Sequence, residues 1–155
     1  MKKLLSAALF ASAMFLGTTE TSAQSYKTGL GLMIDVGDGG TFVGPHVKHF
    51  FTRNGAGEFD ILFGNGSTAV QALYQYNAPL GGAKGLNWYV GAGPGIAFAN
   101  KGGGNSFYIT PAIGLDFKIH GAPLAISADW RPKFFLSDGG GNNVGRFGLG
   151  FKFTL

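Results

Sequence analysis

The sequence contains no cysteine. That excludes a disulfide framework, thiolate chemistry and a cysteine-borne lipid anchor. Charge is also scarce: Asp, Glu, Lys and Arg make up 13% of the chain. The charged residues are dispersed, with no basic run, which argues against a nucleic-acid partner. Beyond residue 23 no stretch supplies the ~20 unbroken apolar residues that a membrane helix needs. No long segment keeps a clean helical period either. What the chain does have is 28 Gly and 15 Phe. With aromatic and β-branched residues this plentiful, disorder is a poor explanation of so many glycines. A membrane β-barrel accounts for all three features, because lipid-facing positions take apolar side chains, membrane interfaces take aromatics, and a narrow lumen with tight turns takes glycine.

The N-terminus is a separate unit. Lys2 and Lys3 precede the apolar run Leu4 to Leu16, and the small, polar stretch Gly17 to Ala23 ends in Thr21-Ser22-Ala23 before Gln24. This is the three-part layout of a cleaved secretory signal peptide, residues 1–23, and the run is too short to span a bilayer. Residues 24–155 are then expected to form one mature domain. Removing Lys2, Lys3 and Glu20 from the 12 basic and 8 acidic residues leaves 10 and 7.

Within the mature part the dominant signal is alternation at period two, interrupted by turn clusters. Leu86, Trp88, Val90, Ala92, Pro94, Ile96 and Phe98 share one face, against Asn87, Tyr89, Gly91, Gly93, Gly95 and Ala97. Phe107 to Lys118, Leu124 to Phe134 and Arg146 to Leu155 repeat the pattern. Leu30 to Val36, Phe42 to Phe51, Glu58 to Phe63 and Ala69 to Tyr76 show it more weakly. These eight segments predict an all-β fold, an eight-stranded antiparallel up-and-down transmembrane β-barrel whose closure leaves no exposed edge. Pro94, Pro111 and Pro132 fall inside strands on the apolar face, where bulges or local strand ends are expected, since proline removes a ladder hydrogen bond. Turns are expected at Gly37 to Gly40, Gly64 to Ser67, Asn100 to Asn105 and Ser137 to Asn143 at the outer end. Thr52 to Gly57, Asn77 to Lys84 and Ile119 to Pro123 are expected to turn at the inner end.

The face opposite the apolar one carries most of the mature charge: Lys48, Glu58, Asp60, Asp116, Lys118, Asp129, Arg131, Lys133, Arg146 and Lys152. Buried charges must be paired and hydrogen-bonded. This set is therefore expected to be a structural salt-bridge network filling the lumen, because eight strands leave an interior that side chains just fill. An inner aromatic girdle is expected from Trp88, Tyr74, Tyr76, Phe151 and Phe153, with Tyr89 and Phe51. An outer girdle is expected from Phe42, Phe63, Phe98, Phe107, Phe134 and Phe135.

No catalytic, cofactor or metal site emerges. His46 and His49 are three apart on a strand and point to opposite faces, and His120 sits in a turn. Ser67, Ser106 and Ser137 lie near outer turns without a histidine at short spacing. Gly102-Gly103-Gly104 and Gly139-Gly140-Gly141 open no helix and carry no P-loop ending. Asp138 with Asn142 and Asn143 offers one carboxylate, too few for calcium.

The stretch Trp88-Tyr89-Val90-Gly91-Ala92-Gly93-Pro94-Gly95, the segment Asp129-Trp130-Arg131-Pro132 and the ending Phe151-Lys152-Phe153, together with the signal peptide, resemble small outer-membrane β-barrel proteins of the OmpX/OmpA-transmembrane type. Members of that family commonly end in an aromatic residue; here Phe153 stands two positions before Leu155. The resemblance implies a monomeric, non-enzymatic barrel in a bacterial outer membrane. Its partners would be outer-membrane lipid and the barrel-assembly machinery, and its role structural or surface-interacting. Three rivals are a lipid-modifying enzyme, a soluble lipocalin-like barrel with its apolar face inside, and a minor narrow channel.

Overall fold

A computed structural model of the protein describes residues 26–64, 66–136 and 141–155. The expected signal peptide, Ser137 and Asp138 lie outside the described residues. The strands are β1 (Thr28–Gly37), β2 (Phe42–Phe50), β3 (Gly55–Gly64), β4 (Ser67–Pro79), β5 (Leu86–Ala99), β6 (Asn105–Lys118), β7 (Leu124–Trp130), β8 (Lys133–Phe135), β9 (Asn142–Asn143) and β10 (Arg146–Thr154). β8 continues β7 beyond Arg131 and Pro132, and β9 leads into β10 across Val144 and Gly145. The segments thus make eight antiparallel barrel strands, and the β1–β10 pairing closes the ring.

Alternating burial along each strand sets the two faces. In β4 the buried positions Ala69, Gln71, Leu73, Gln75 and Asn77 alternate with Val70, Ala72, Tyr74 and Tyr76. In β10 Arg146, Gly148, Gly150 and Lys152 are buried, while Leu149, Phe151 and Phe153 are exposed. Apolar side chains therefore coat the outside, while the bore holds the charged and polar side chains and the glycines, with a few large apolar residues such as Met33, Phe50, Leu62 and Leu73 among them.

Pro132 behaves as expected of a strand proline, whereas Pro94 and Pro111 do not. Pro94 and Pro111 make no bulge. The β4–β5 ladder skips Ala72–Pro94 and Leu73–Gly93 but resumes in the same register, from Gln71↔Gly95 to Tyr74↔Ala92. Pro111 stays paired with Ala92. Glycine is required beside the gap, since a Cβ on Gly93 would lie 1.8 Å from Ala72 O. Only at Pro132 is the strand interrupted. Alongside that break, Phe147 faces Trp130 while Asn143 faces Lys133. Three steps on one strand thus match four on the other, which is a one-residue bulge at Val144–Gly145. Trp130 Nε1 donates to Val144 O across it at 2.7 Å.

Two inner turns are tighter than expected. Gly55 to Gly57 belong to β3, and Asn77 to Pro79 to β4. Asn77 holds the strand end by exchange with Asn54: Asn77 N–H donates to Asn54 O, and Asn54 Nδ2 to Asn77 O at 2.7 Å.

Candidate functional site

The bore is the site that the chain builds with most care. Its buried ions are five carboxylates (Asp35, Glu58, Asp60, Asp116 and Asp129) and five cations (Lys48, Arg131, Lys133, Arg146 and Lys152). They fall into three layers along the axis.

At the centre, Arg131 from the β7–β8 break reaches three carboxylates on two strands, β3 and β7. Its guanidinium donates to Glu58 Oε1 at 3.0 Å, Asp60 Oδ2 at 3.1 Å, and both oxygens of Asp129 at 2.7 and 2.5 Å. The planar fork of arginine suits such multiple carboxylate contacts. Neutral donors satisfy the remaining lone pairs: Tyr89 OH on Asp129, Gln71 on Asp60 at 2.9 Å, and Gln75 on Glu58 at 3.1 Å. Glycine makes the room, since a Cβ on Gly148 would stand 2.7 Å from Arg131 Nε.

Toward the chain termini, Asp116 accepts from Tyr26 OH at 2.6 Å and from Lys48 Nζ at 3.2 Å, and lies 3.6 Å from Lys152 Nζ. Lys48 also donates to Asn77 Oδ1 at 2.8 Å and sits 4.3 Å above the Tyr89 ring. Tyr26 precedes β1 and packs with Phe50, Ala56 and Ala125. Burial, reinforced by the Asp116 carboxylate, pushes its phenol well above the usual range, so it remains a donor.

At the opposite mouth, Asp35 accepts from Lys133 Nζ at 2.8 Å and from Arg146 Nε at 3.0 Å. Arg146 additionally donates to the carbonyls of Asp35 and Asp38. Phe42 lies beneath both cations, 5.5 Å from Lys133 Nζ and 5.4 Å from Arg146 Cζ.

Nine of the ten expected network residues join these layers. Lys118 does not. At the end of β6, half-buried, it donates to Ile119 O and Ala122 O of the following turn at 3.1 and 2.7 Å. A long side chain on the last strand residue reaches the rim carbonyls before it reaches the axis. Asp35 and His46 were not among the expected network residues, although period two puts Asp35 in step with Met33, and His46 in step with Lys48. Trp88, Tyr74, Tyr76, Phe151 and Phe153 face outward as expected, with the Tyr76 and Trp88 rings 6.0 Å apart. Phe42 and Tyr89 are corrections: both face the bore, where their rings cover cations. Phe135 is half-buried at the mouth against Tyr108, at 5.3 Å.

Asp60 Oδ1 accepts from His46 Nδ1 at 2.6 Å, and the buried Nε2 of His46 lies 3.9 Å from Glu58 Oε2 with no hydrogen-bond partner. His46, Glu58 and Asp60 offer atoms within 4.8 Å of one another, the grouping a metal ion would use. Arg131 already contacts both carboxylates, so the protein supplies its own cation there. His49 is held by Thr28 on the other face, at 2.8 Å, and His120 is exposed in a turn. Ser67 Oγ is turned to Gly64 O at 3.4 Å, not toward a histidine.

Fold and site together define a closed eight-stranded antiparallel barrel with a salt-bridged interior. No protein-family model, curated protein or solved structure matches the chain.

Proposed function

We propose that this is an integral outer-membrane β-barrel protein, exported through a cleaved signal peptide, with a structural or surface-interaction role and no open pore. One observation carries the reading. Among the described residues, the outward positions of the barrel strands hold no Asp, Glu, Lys or Arg, and His49 is their one ionisable group besides tyrosine, whereas ten ions are buried in the bore. The exposed charges Lys27, Arg53, Lys84 and Lys101 all lie at the two ends. A barrel dissolved in water has no reason to keep its outer wall free of charge, and large exposed apolar surfaces are unfavourable there. In a bilayer that arrangement is the stable one.

The aromatics support the same orientation. Phe51, Tyr76, Trp88 and Phe153 ring the end near the termini, and Phe63, Phe98, Phe107 and Phe134 ring the other, as interfacial anchoring requires. Partners on this reading are outer-membrane lipid and, during biogenesis, the barrel-assembly machinery. The protein works as a monomer of the OmpX/OmpA-transmembrane type, without cofactor or catalytic activity.

The test is expression of the full chain with its leader in a Gram-negative host. The protein is expected in the outer-membrane fraction, extractable only with detergent, with gel migration that shifts on boiling. Recovery as a soluble periplasmic protein without detergent would sink the proposal.

A further inference from the structure

The mouth opposite the termini contains a cavity of about 270 Å³ between the ends of the strands. Its floor is made by Lys133 and Arg146, its walls include the rings of Phe42, Tyr108 and Phe135, and Ala97 borders it where a larger residue would fill it. We propose that this vestibule binds a small organic monoanion, a carboxylate carrying an apolar ring.

The floor of the cavity carries excess positive charge. Both floor cations are almost fully buried and, among the described residues, share one buried carboxylate, Asp35. Another carboxylate, Asp38, lies on the β1–β2 turn and accepts from Gly145 N–H at 3.0 Å. Lys133 has three donors. One goes to Asp35 Oδ2, and the ammonium otherwise sits 5.5 Å from the Phe42 ring centre and 5.2 Å from that of Tyr108. Ring faces are weaker partners than a carboxylate oxygen. An incoming carboxylate therefore meets a desolvated ammonium with donor capacity to spare.

Binding pockets typically combine an apolar, aromatic lining with a few convergent polar groups, in volumes of ~300–1,000 Å³. This cavity lies near the lower bound, which limits the ligand to a single ring or its equivalent. Tyr108 is held in place by its hydroxyl, which donates to Gln71 Oε1 at 2.8 Å, and by its contact with Phe135. The aromatic wall is thus already positioned to receive a ring. The cavity belongs to the folded barrel in detergent or lipid alike, so the proposal stands independently of the membrane assignment.

The experiment titrates the folded full-length mature barrel, in a zwitterionic detergent, with benzoate, benzyl alcohol and inorganic phosphate, using calorimetry or ligand-observed NMR. Benzoate is expected to bind at one saturable site, at least tenfold more tightly than either comparator. Ala97→Phe, which fills the cavity without touching its charges, is expected to weaken benzoate at least tenfold while the heat-dependent gel shift is retained. Lys133→Met is expected to do the same and Lys133→Arg to retain binding. Equal binding of benzoate and benzyl alcohol would show detergent or apolar partition only. Phosphate binding as tightly as benzoate would show a plain anion site. No saturable benzoate binding, or undiminished binding to a folded Ala97→Phe protein, would equally overturn the proposal.

Discussion

Arg131 has no solvent exposure and bonds to three carboxylates from β3 and β7. Removing one partner of a buried ion pair leaves uncompensated charge, typically at a cost of about 3–5 kcal/mol. Arg131→Met is therefore expected to destabilise the folded barrel by about that amount, measured by reversible urea unfolding in detergent or vesicles. Adding Asp129→Asn should cost less than the sum of the single changes, because it removes one of the carboxylates left unpaired. Most of this network is legible from the chain, since Glu58 and Asp60, or Asp129, Arg131 and Lys133, recur every second residue. Asp35 and His46 obey the same rule. They are harder to see because their strands carry single charges among glycines and apolar residues. Lys118 obeys the rule and still lies outside the network, because period two sets a direction and not the depth at which a side chain meets its partner.

At the scale of the strand, the apolar face makes a depth-dependent prediction. Leu149 stands near the middle of β10, opposite Ile34 and Ala128, whereas Phe153 lies near its end, opposite Leu30 and Leu124. An arginine on the lipid face costs about 2–4 kcal/mol at the midplane and about 0–1 kcal/mol near the interface. Leu149→Arg should therefore destabilise the barrel in vesicles by several times more than Phe153→Arg, as read from unfolding equilibria. Equal, near-zero effects would contradict burial in a bilayer. Strand number and alternation were readable because the period is sustained over whole segments. The effect of each proline was not. Pro94 and Pro111 sit where a skipped pair leaves the register intact, while Pro132 coincides with an extra residue on the neighbouring strand. That difference arises between strands and has no trace in either alone. Phe42 and Tyr89 follow the same logic. As aromatics near strand ends they read as girdle residues, but they turn inward, where ring faces cover Lys48, Lys133 and Arg146.

For the whole molecule, the three layers carry different charge. Lys133 and Arg146 exceed Asp35 by one positive charge, Glu58, Asp60 and Asp129 exceed Arg131 by two negative ones, and Lys48 and Lys152 exceed Asp116 by one positive. The five buried carboxylates and the five buried Lys and Arg cations sum to zero. A permeating cation meets like charge at both ends, and a permeating anion meets it in the middle, in a medium that screens poorly. The bore is also sterically occupied, with Arg131, Arg146, Tyr89, Tyr108 and Lys48 among its largest buried side chains. Purified protein reconstituted in planar bilayers is thus expected to give no stepwise conductance in 1 M KCl. Reproducible discrete openings would show that the plug yields.

The chain by itself determined the all-β class, the strand number and which face of most strands is greasy, because period-two patterning is local and survives without knowledge of neighbours. Tertiary structure alone decided which ions meet and in what layers, the bulge at Val144–Gly145, and the aromatic-walled mouth. Those depend on the relative stagger of strands far apart in sequence, and stagger is set by closure of the ring rather than by any single segment.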